Sequence, residues 1–218
     1  MDCIAHGAWK GKSKLRSATQ LFSHADFYLY YNPVSKSYKV SDIVNKALFE
    51  QIRESIRKYY ITSLWSEIIL KSYGAGEPSG QLFRLFVECL ECLNTCAEQD
   101  EPYILVQFLW RFLSISGFRP DLNLCHECSK NITASHPLYY EKSLVLFSCG
   151  ECARDKSSLL NPGIRIYLDK SLHLPVKKAL AIKIEKNAIE SLKKITYHIV
   201  ESHLETRLNS LKSGEGII

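Results

Sequence analysis

One short pattern occurs twice in the chain, as Cys125-His126-Glu127-Cys128 and as Cys149-Gly150-Glu151-Cys152, with 20 residues between the two copies. Each Cys-x-x-Cys pair is typical of a knuckle, a tight turn that points two sulfurs to the same side. Two knuckles supply four thiolates, and their spacing is that of a structural zinc site. The pattern therefore predicts one bound zinc ion, with Cys125, Cys128, Cys149 and Cys152 as its ligands.

Energetics favour zinc over free thiols at these four positions. Ionising four thiols at pH 7 costs on the order of 8 kcal/mol, whereas structural zinc binds with roughly 10–16 kcal/mol after that cost. The chain shows no secretory signal, so we expect a reducing compartment, where disulfides are rare. Iron and an empty site remain as alternatives. Four sulfurs fill the coordination shell and leave no position for water, which favours a structural ion over a catalytic one.

The sequence around this pattern changes period along the chain. Residues 1–47 show strand alternation, for example Phe27 to Tyr31, followed by an Asn32-Pro33 turn. From about Ala47 the apolar period is helical, and helices are predicted at about 47–73, 79–97, 102–116 and 185–212. The fold class is therefore α+β. We expect a β domain over residues 1–46 and a helical domain over 47–218, with a zinc-binding insert at 121–156.

Composition and charge narrow the class of function. The 218 residues are 46% hydrophobic and 23% charged, which excludes disorder and a coiled-coil rod. We expect a soluble cytoplasmic protein with no membrane partner, because every apolar run is too short to span a bilayer. The net charge is +5, and residues 1–60 and 165–212 each carry ten basic residues against five acidic ones. Residues 77–101 carry six acids and one arginine. This polarity predicts a polyanion at one surface and a different partner elsewhere.

A basic run near the N-terminus is the candidate polyanion site. Lys10, Lys12, Lys14 and Arg16 alternate with small residues and can reach phosphates, while Trp9 offers a ring for base stacking. The alternative is a solvated turn with a buried Trp9. A second basic set either extends this surface or forms a solvated helix face; it contains Lys177, Lys178, Lys183, Lys193 and Lys194.

Catalytic motifs are missing from the sequence. It contains no phosphate-binding Gly-rich loop, no His-Glu-x-x-His and no Gly-x-Ser-x-Gly, so we predict a protein that is not an enzyme. Cys89, Cys92 and Cys96 share one helix face and are interpreted as small apolar residues. His198 and His203 are five residues apart, so they are interpreted as surface or core side chains rather than as ligands.

The sequence resembles the bacterial RecO family of DNA repair and recombination mediators. The resemblance is most specific where a helix end, a Gly-Phe-x-Pro-x-Leu linker and the first knuckle follow one another, from Phe112 to Cys128. Gly7-Ala8 with the basic residues up to Arg16 is similar to that family's basic Gly-Ala loop. Asn161-Pro162-Gly163 and the last long helix also match, so the resemblance covers most of residues 4–212.

The resemblance implies a small OB-type β-barrel, a helical body and an inserted four-cysteine zinc module. It implies binding to single- and double-stranded DNA, annealing of complementary strands, and action with RecR in loading RecA onto DNA coated by single-strand-binding protein. It also implies contact with the acidic C-terminal tail of that protein, and a location in the bacterial cytoplasm, on the nucleoid during repair. Carried over by position, Lys10, Lys12, Lys14 and Arg16 would contact phosphates.

One departure concerns the barrel. Members of that family carry about thirty residues ahead of the Gly-Ala loop, which supply the first strands of a five-stranded barrel, whereas here the loop starts at Gly7. Either the start lies upstream or the barrel is open, and an open barrel would hold DNA less tightly. Two other functions remain open: a zinc-stabilised adaptor that binds only proteins, and a zinc hydrolase or nuclease, which would need an open metal position.

Overall fold

The computed structural model describes residues 3–11, 13, 15–72 and 79–218. Contacts between residues divide the chain into two compact units, Met1–Ile56 and Arg57–Ile218. The first unit is mostly sheet and the second is mostly helix, which confirms the mixed α+β class. Within the described residues, no helix is both long enough and apolar enough to cross a membrane.

The first unit is built on a three-stranded sheet. Its elements are the strand β1 (Cys3–Ile4), the helix α1 (Leu15–Ala18), the strands β2 (His24–Asn32) and β3 (Ser37–Ala47), and the helix α2 (Glu50–Glu54). The strand order is β1-β3-β2, with β1 parallel and β2 antiparallel to β3. The predicted turn after Asn32 forms because the Asn32 side chain accepts the N–H of Val34 at 2.9 Å. The described strands form an open sheet, not a closed barrel.

The helix expected from Ala47 begins later. Strand β3 continues to Ala47, and Phe49 adopts a left-handed backbone with φ of 47° immediately before α2. Ser55 is extended and separates α2 from α3, so the single predicted helix is two helices. The apolar periodicity correctly predicted buried residues such as Ile52. It did not predict the backbone turns at Phe49 and Ser55.

The second unit is organised around one buried helix. Its helices are α3 (Ile56–Ser72), α4 (Gly80–Thr95), α5 (Glu101–Ile115), α6 (Pro162–Leu172), α7 (Val176–Ala179), α8 (Lys186–His203) and α9 (Asn209–Ser213), with a 3-10 helix at Glu98–Asp100. Helix α5 is buried from Glu101 to Trp110 and contacts α4, α6 and α8. The indole N–H of Trp110 donates to the Thr196 hydroxyl of α8 at 2.8 Å, which satisfies both buried polar groups.

Local capping explains why these helices begin and end where they do. Ser79 caps α4 by accepting the N–H of Leu82 at 3.2 Å, and Asn161 caps α6 by accepting the N–H of Ile164 at 2.9 Å. After α5, Gly117 has φ of 78° and Phe118 N–H donates to the carbonyl of Leu113 at 2.9 Å. This is a Schellman ending, which needs a residue that tolerates a positive φ. The predicted stop at Gly117 is confirmed.

The long C-terminal helix is interrupted. Helix α8 ends at His203, Glu205 has φ of 50°, and α9 begins only at Asn209. The Glu67 carboxylate of α3 accepts the N–H groups of Asn209 and Ser210 at 2.9 and 2.8 Å and so caps the start of α9. A side chain far away in sequence therefore supplies the reason for the break, and the one helix predicted over about 185–212 is wrong.

A small second sheet supports the cysteine-bearing insert. Strands β4 (Leu138–Glu141), β5 (Leu146–Ser148) and β6 (Leu159–Leu160) are antiparallel in the order β5-β4-β6. Strands β4 and β5 form a hairpin. Tyr140 and Phe147 pair across it and are buried, with ring centroids 5.2 Å apart. The sheet thus fixes Cys149, which follows β5 directly.

Candidate metal centre and basic surface

The structure brings the four predicted cysteines together. The first knuckle is closed by the N–H of Ser129, which donates to the carbonyl of Cys125 at 2.9 Å, with Ser129 at φ of 54°. The second knuckle is closed by the N–H of Cys152, which donates to the carbonyl of Cys149 at 3.1 Å. Each knuckle is therefore built by its own backbone, and its two sulfurs converge.

The sulfur geometry fits a tetrahedral ion. The four Sγ atoms of Cys125, Cys128, Cys149 and Cys152 all lie within 4.8 Å of one another, and those of Cys128 and Cys149 are 4.0 Å apart. Zinc–sulfur bonds of about 2.3 Å place neighbouring sulfurs of a tetrahedron about 3.8 Å apart. Cys125 and Cys149 are buried, whereas Cys128 is exposed. These four sulfurs could hold a metal ion. The insert that carries them, residues 121–156, is here called the metal module.

The thiols of Cys125 and Cys152 are shifted in opposite directions from the usual cysteine pKa. Burial raises the pKa of Cys125, but backbone N–H groups of Cys128, Cys149 and Glu127 donate to its sulfur and outweigh burial, so the pKa falls to about 6. The pKa of Cys152 rises to about 12 because its thiol hydrogen-bonds to Cys149 and Cys128. A divalent ion supplies the positive charge that four thiolates need.

Two exposed ion pairs connect the knuckles. Lys130 Nζ lies 3.1 Å from a Glu151 carboxylate oxygen, and Arg154 lies 3.3 Å from a Glu127 oxygen. All four side chains are open to solvent, where such pairs contribute little. The ion pairs are accessory to the sulfur geometry.

A buried arginine attaches the metal module to the helices. Arg165 of α6 is 3% exposed, and its two terminal nitrogens donate to four backbone carbonyls at 2.5–2.7 Å. These carbonyls belong to Leu122, Ile132, Thr133 and His136. Burial lowers the pKa of the Arg165 guanidinium. The bonds fix the loop on either side of the first knuckle, and no feature of the sequence alone singled this arginine out.

The basic loop presents an aromatic ring and cations to solvent. Ala8 is buried, whereas Trp9 is 96% exposed. Gly7 has φ of 76°, and the N–H of Lys10 donates to its carbonyl at 3.0 Å, so the turn uses the conformational freedom of glycine. Lys10 and Arg16 are exposed, while Lys12 and Lys14 lie outside the described residues. The alternative with a buried Trp9 is wrong.

The sheet of the first unit carries exposed aromatic rings on both faces. Alternation along β2 places Tyr28 and Tyr30 on one face, with exposed fractions of 54% and 57%. Phe27 and Tyr31 lie on the other face, at 45% and 47%. Lys39 pairs in register with Tyr30 and Asp42 pairs with Tyr28, so the face with Tyr28 and Tyr30, here called the tyrosine face, carries one cation and one carboxylate. The exposed rings of this face can stack with a base.

The second basic set divides into lysines that form ion pairs within the fold and lysines that are exposed to solvent. Lys183 pairs with Asp100 at 2.6 Å, and Lys193 is buried and pairs with Glu190 at 2.6 Å, so neither belongs to a free basic surface. Lys177, Lys178 and Lys194 are exposed.

Several acids of the 77–101 segment are also engaged within the fold. Glu88 accepts the N–H of Val176 at 2.8 Å, and the buried Glu101 lies 3.1 Å from Arg57. Together with the Asp100–Lys183 pair, these contacts reduce the negative surface that an adaptor would offer.

Cysteines and histidines outside the cluster have structural surroundings. Cys89 is fully buried, and burial raises its thiol pKa, so it behaves as the small apolar residue that was predicted. His198 Nδ1 lies 2.7 Å from the Tyr140 hydroxyl, and the His203 ring lies 3.8 Å from that of Phe118. Among the described residues, the cysteine cluster is the one group arranged for a metal ion.

A small β unit followed by a helical unit with four clustered cysteines that could hold a metal ion defines a class of two-part proteins. The profile of the family described as Recombination protein O C terminal matches residues 53–212. The chain therefore belongs to the RecO recombination protein family.

Curated relatives extend the similarity to the first unit. A DNA repair protein RecO of Acetivibrio thermocellus is 22% identical over 218 residues, which cover 98% of this chain and 85% of that protein. The DNA repair protein RecO of Oceanobacillus iheyensis is 25% identical and covers 93% of this chain and 76% of its own length. That of Pelotomaculum thermopropionicum is 25% identical, with 96% and 80% covered. The similarity thus spans both units.

Proposed function

We propose that this chain is a DNA repair and recombination mediator that binds single- and double-stranded DNA and anneals complementary strands. Together with RecR it would help to load RecA onto DNA coated by single-strand-binding protein, whose C-terminal tail it would contact. Membership of the RecO family supports this role, since the relatives are named as DNA repair proteins. Such work would take place in the bacterial cytoplasm, on the nucleoid.

The observation that carries the DNA-binding part is the surface of the first unit. Trp9 is 96% exposed beside the exposed Lys10 and Arg16, in a unit whose sheet exposes further rings. Large apolar rings left in water gain little for stability, whereas a base can stack on them with about 1–3 kcal/mol. The cations neutralise phosphates without reading sequence. We infer that Lys10, Lys12, Lys14 and Arg16 contact the DNA backbone.

We infer further that the first unit is an open OB-type barrel. Its first strand is parallel to its last, and a short helix lies between the first strand and the hairpin. A five-stranded Greek-key barrel contains such an arrangement in its second half. This fold commonly binds single strands through an exposed face and adjoining loops, which agrees with the position of the basic loop.

The metal is proposed to be one structural zinc ion, held by Cys125, Cys128, Cys149 and Cys152. The four-sulfur donor set and its near-tetrahedral spacing support zinc over harder cations. When bound, zinc neutralises the thiolates and fixes the two knuckles to each other. With four protein ligands it offers no open position, so no catalytic role is assigned to it.

Annealing follows from charge and stacking without bond-making. Neutralising phosphates on two strands lowers their repulsion, and base pairing then selects the register. The rate should fall steeply with salt, because released counterions drive binding.

The test is strand annealing of two complementary oligonucleotides by the purified protein across a salt series. The loop variant replaces Lys10, Lys12, Lys14 and Arg16 by Ala. A control variant removes the same charge elsewhere, with Ala at the exposed residues Arg84, Arg119, Lys170 and Lys186. We expect annealing by the wild type and the control, and slow annealing with a shallower salt dependence for the loop variant. Equal rates for all three would defeat the assignment of the loop. No binding of DNA by the wild type at low salt would favour a protein-only adaptor.

A further inference from the structure

A wide groove opens on the second unit beside the metal module. Its volume is about 650 Å³, and it is lined by the β4–β5 hairpin, the loop before β6, helix α8 and helix α9. The residues that line it come from four separate chain segments. The groove is therefore a product of the tertiary fold, and the four cysteines of the metal site do not line it.

The groove carries an excess of positive charge. Lys142, Lys194, Arg207 and Lys212 line it, against the single carboxylate of Glu201. Glu201 is already engaged, because it lies 3.3 Å from Arg207 and accepts the N–H of Leu208 at 2.9 Å. The three lysines have no carboxylate within ion-pair distance in the described part of the chain. Three positive charges thus converge on one concavity without compensation.

Asp155, an acid that interacts electrostatically with Lys142, is also engaged within the fold. Lys142 helps to lower the pKa of Asp155, but the main cause is the backbone N–H of Ser157, which donates to that carboxylate at 2.8 Å. The Ser157 hydroxyl donates to the same carboxylate at 2.9 Å. Asp155 is therefore held in a local turn, and it does not line the groove.

Hydroxyl groups and a fixed floor complete the surface. Ser158 and Ser191 line the groove near the lysines and can donate to an anion. The floor includes Tyr140, which is fully buried and whose hydroxyl lies 2.7 Å from His198 Nδ1. A rigid base with flexible lysines at the rim suits phosphate groups, which accept several hydrogen bonds from ammonium and hydroxyl donors.

We propose that this groove binds the phosphate backbone of a nucleic-acid strand, as a second contact surface remote in sequence from the basic loop. The inference rests on the proposed function, since it assumes that the chain binds DNA. Lys142, Lys194 and Lys212 supply the phosphate contacts, and Ser158 and Ser191 supply hydroxyl donors.

The experiment measures binding of a fluorescent oligothymidine to the full chain by anisotropy across a salt series. The groove variant is Lys142→Ala, Lys194→Ala and Lys212→Ala, and the matched control is Arg84→Ala, Lys170→Ala and Lys186→Ala. All six side chains are exposed, so circular dichroism melting should show three proteins of equal stability. Since each phosphate contact on a single strand contributes about 0.7 to the salt slope, we expect the groove variant to lose about 2 from the slope. The control should keep the wild-type slope.

The outcomes separate this inference from the proposed function. If the wild type binds and the groove variant matches it, the groove inference fails while the proposed function stands. An equal loss in the groove variant and in the control would show that net charge matters and not the groove, and would also overturn the inference. If the wild-type protein does not bind DNA at low salt, both the groove inference and the proposed function are wrong. A mononucleotide, added at the same total phosphate concentration, should not displace the strand; displacement would indicate a site for a single phosphate.

Discussion

The two units use their aromatic side chains in opposite ways. In Arg57–Ile218, Trp65 and Phe108 are fully buried and stack with ring centroids 4.8 Å apart. In Met1–Ile56, Trp9 is 96% exposed and Tyr30 is 57% exposed. Burying such a side chain contributes about 1.5–3 kcal/mol, which an exposed ring forgoes. The difference teaches that the core rings of the second unit contribute to its stability, whereas the exposed rings of the first unit remain available to a ligand.

The largest effect is expected when one ligand of the metal site is removed. Cys149→Ser should abolish stoichiometric zinc and cost several kcal/mol of stability, because structural zinc contributes roughly 10–16 kcal/mol to folding. Zinc is measured by elemental analysis after dialysis, and stability by thermal melting. Cys3→Ser changes an exposed cysteine of β1 and is the control. Zinc at one per chain in the Cys149 variant would show that the four sulfurs are not its ligands.

The next effect tests how the metal module is attached to the helices. Arg165→Met leaves four buried carbonyls without their donor and should cost about 3–5 kcal/mol. This corresponds to a fall of about 10 °C in melting temperature. Arg165→Lys should lose less stability than Arg165→Met. The control Arg119→Met changes an exposed arginine and should keep the wild-type melting temperature. If Arg165→Met melts like Arg119→Met, the four hydrogen bonds do not anchor the module.

A third change tests whether Tyr28 and Tyr30 bind DNA or stabilise the sheet by packing. Tyr28→Ser with Tyr30→Ser should weaken binding of single-stranded DNA by about 1–3 kcal/mol for each base that stacks there, with little change in melting temperature. Tyr31→Ser is the contrast, because the Tyr31 ring contacts that of Tyr38 at 5.1 Å on the other face. A lower melting temperature with unchanged affinity for the double variant would assign the tyrosines to packing.

The smallest effect concerns the ion pairs between the knuckles. Lys130 and Glu151 are 65% and 79% exposed, so water and salt screen their attraction. Lys130→Ala should leave both zinc content and melting temperature at the wild-type values. Loss of zinc from this variant would mean that the exposed charges, and not the sulfurs alone, hold the module together.

The metal cluster and most helices were predictable because their signals are local. The cysteine spacing sets the knuckles, and Ser79, Asn161 and Gly117 mark helix ends through bonds to residues only a few positions away. These features need no knowledge of the tertiary fold.

The features that were missed depend on distant partners. The break after His203 involves Glu67, and the role of Arg165 depends on carbonyls of the loop near the first knuckle. The groove likewise combines Lys142 with Lys194 and Lys212, which no periodicity connects. Only the folded chain brings these groups together, so the sequence singled out Lys194 but not the surface that it shares with Lys142 and Lys212.

The most direct test of the division between the units is the fluorescence of Trp9. Trp65 and Trp110 are fully buried, so Trp9 is the tryptophan that a ligand in water can reach. Titration with oligothymidine should quench the exposed, red-shifted emission in the wild type. In Trp9→Phe, the remaining emission should not change on titration. If DNA binds, as shown by anisotropy, while the emission of Trp9 stays constant, the first unit is not the nucleic-acid surface.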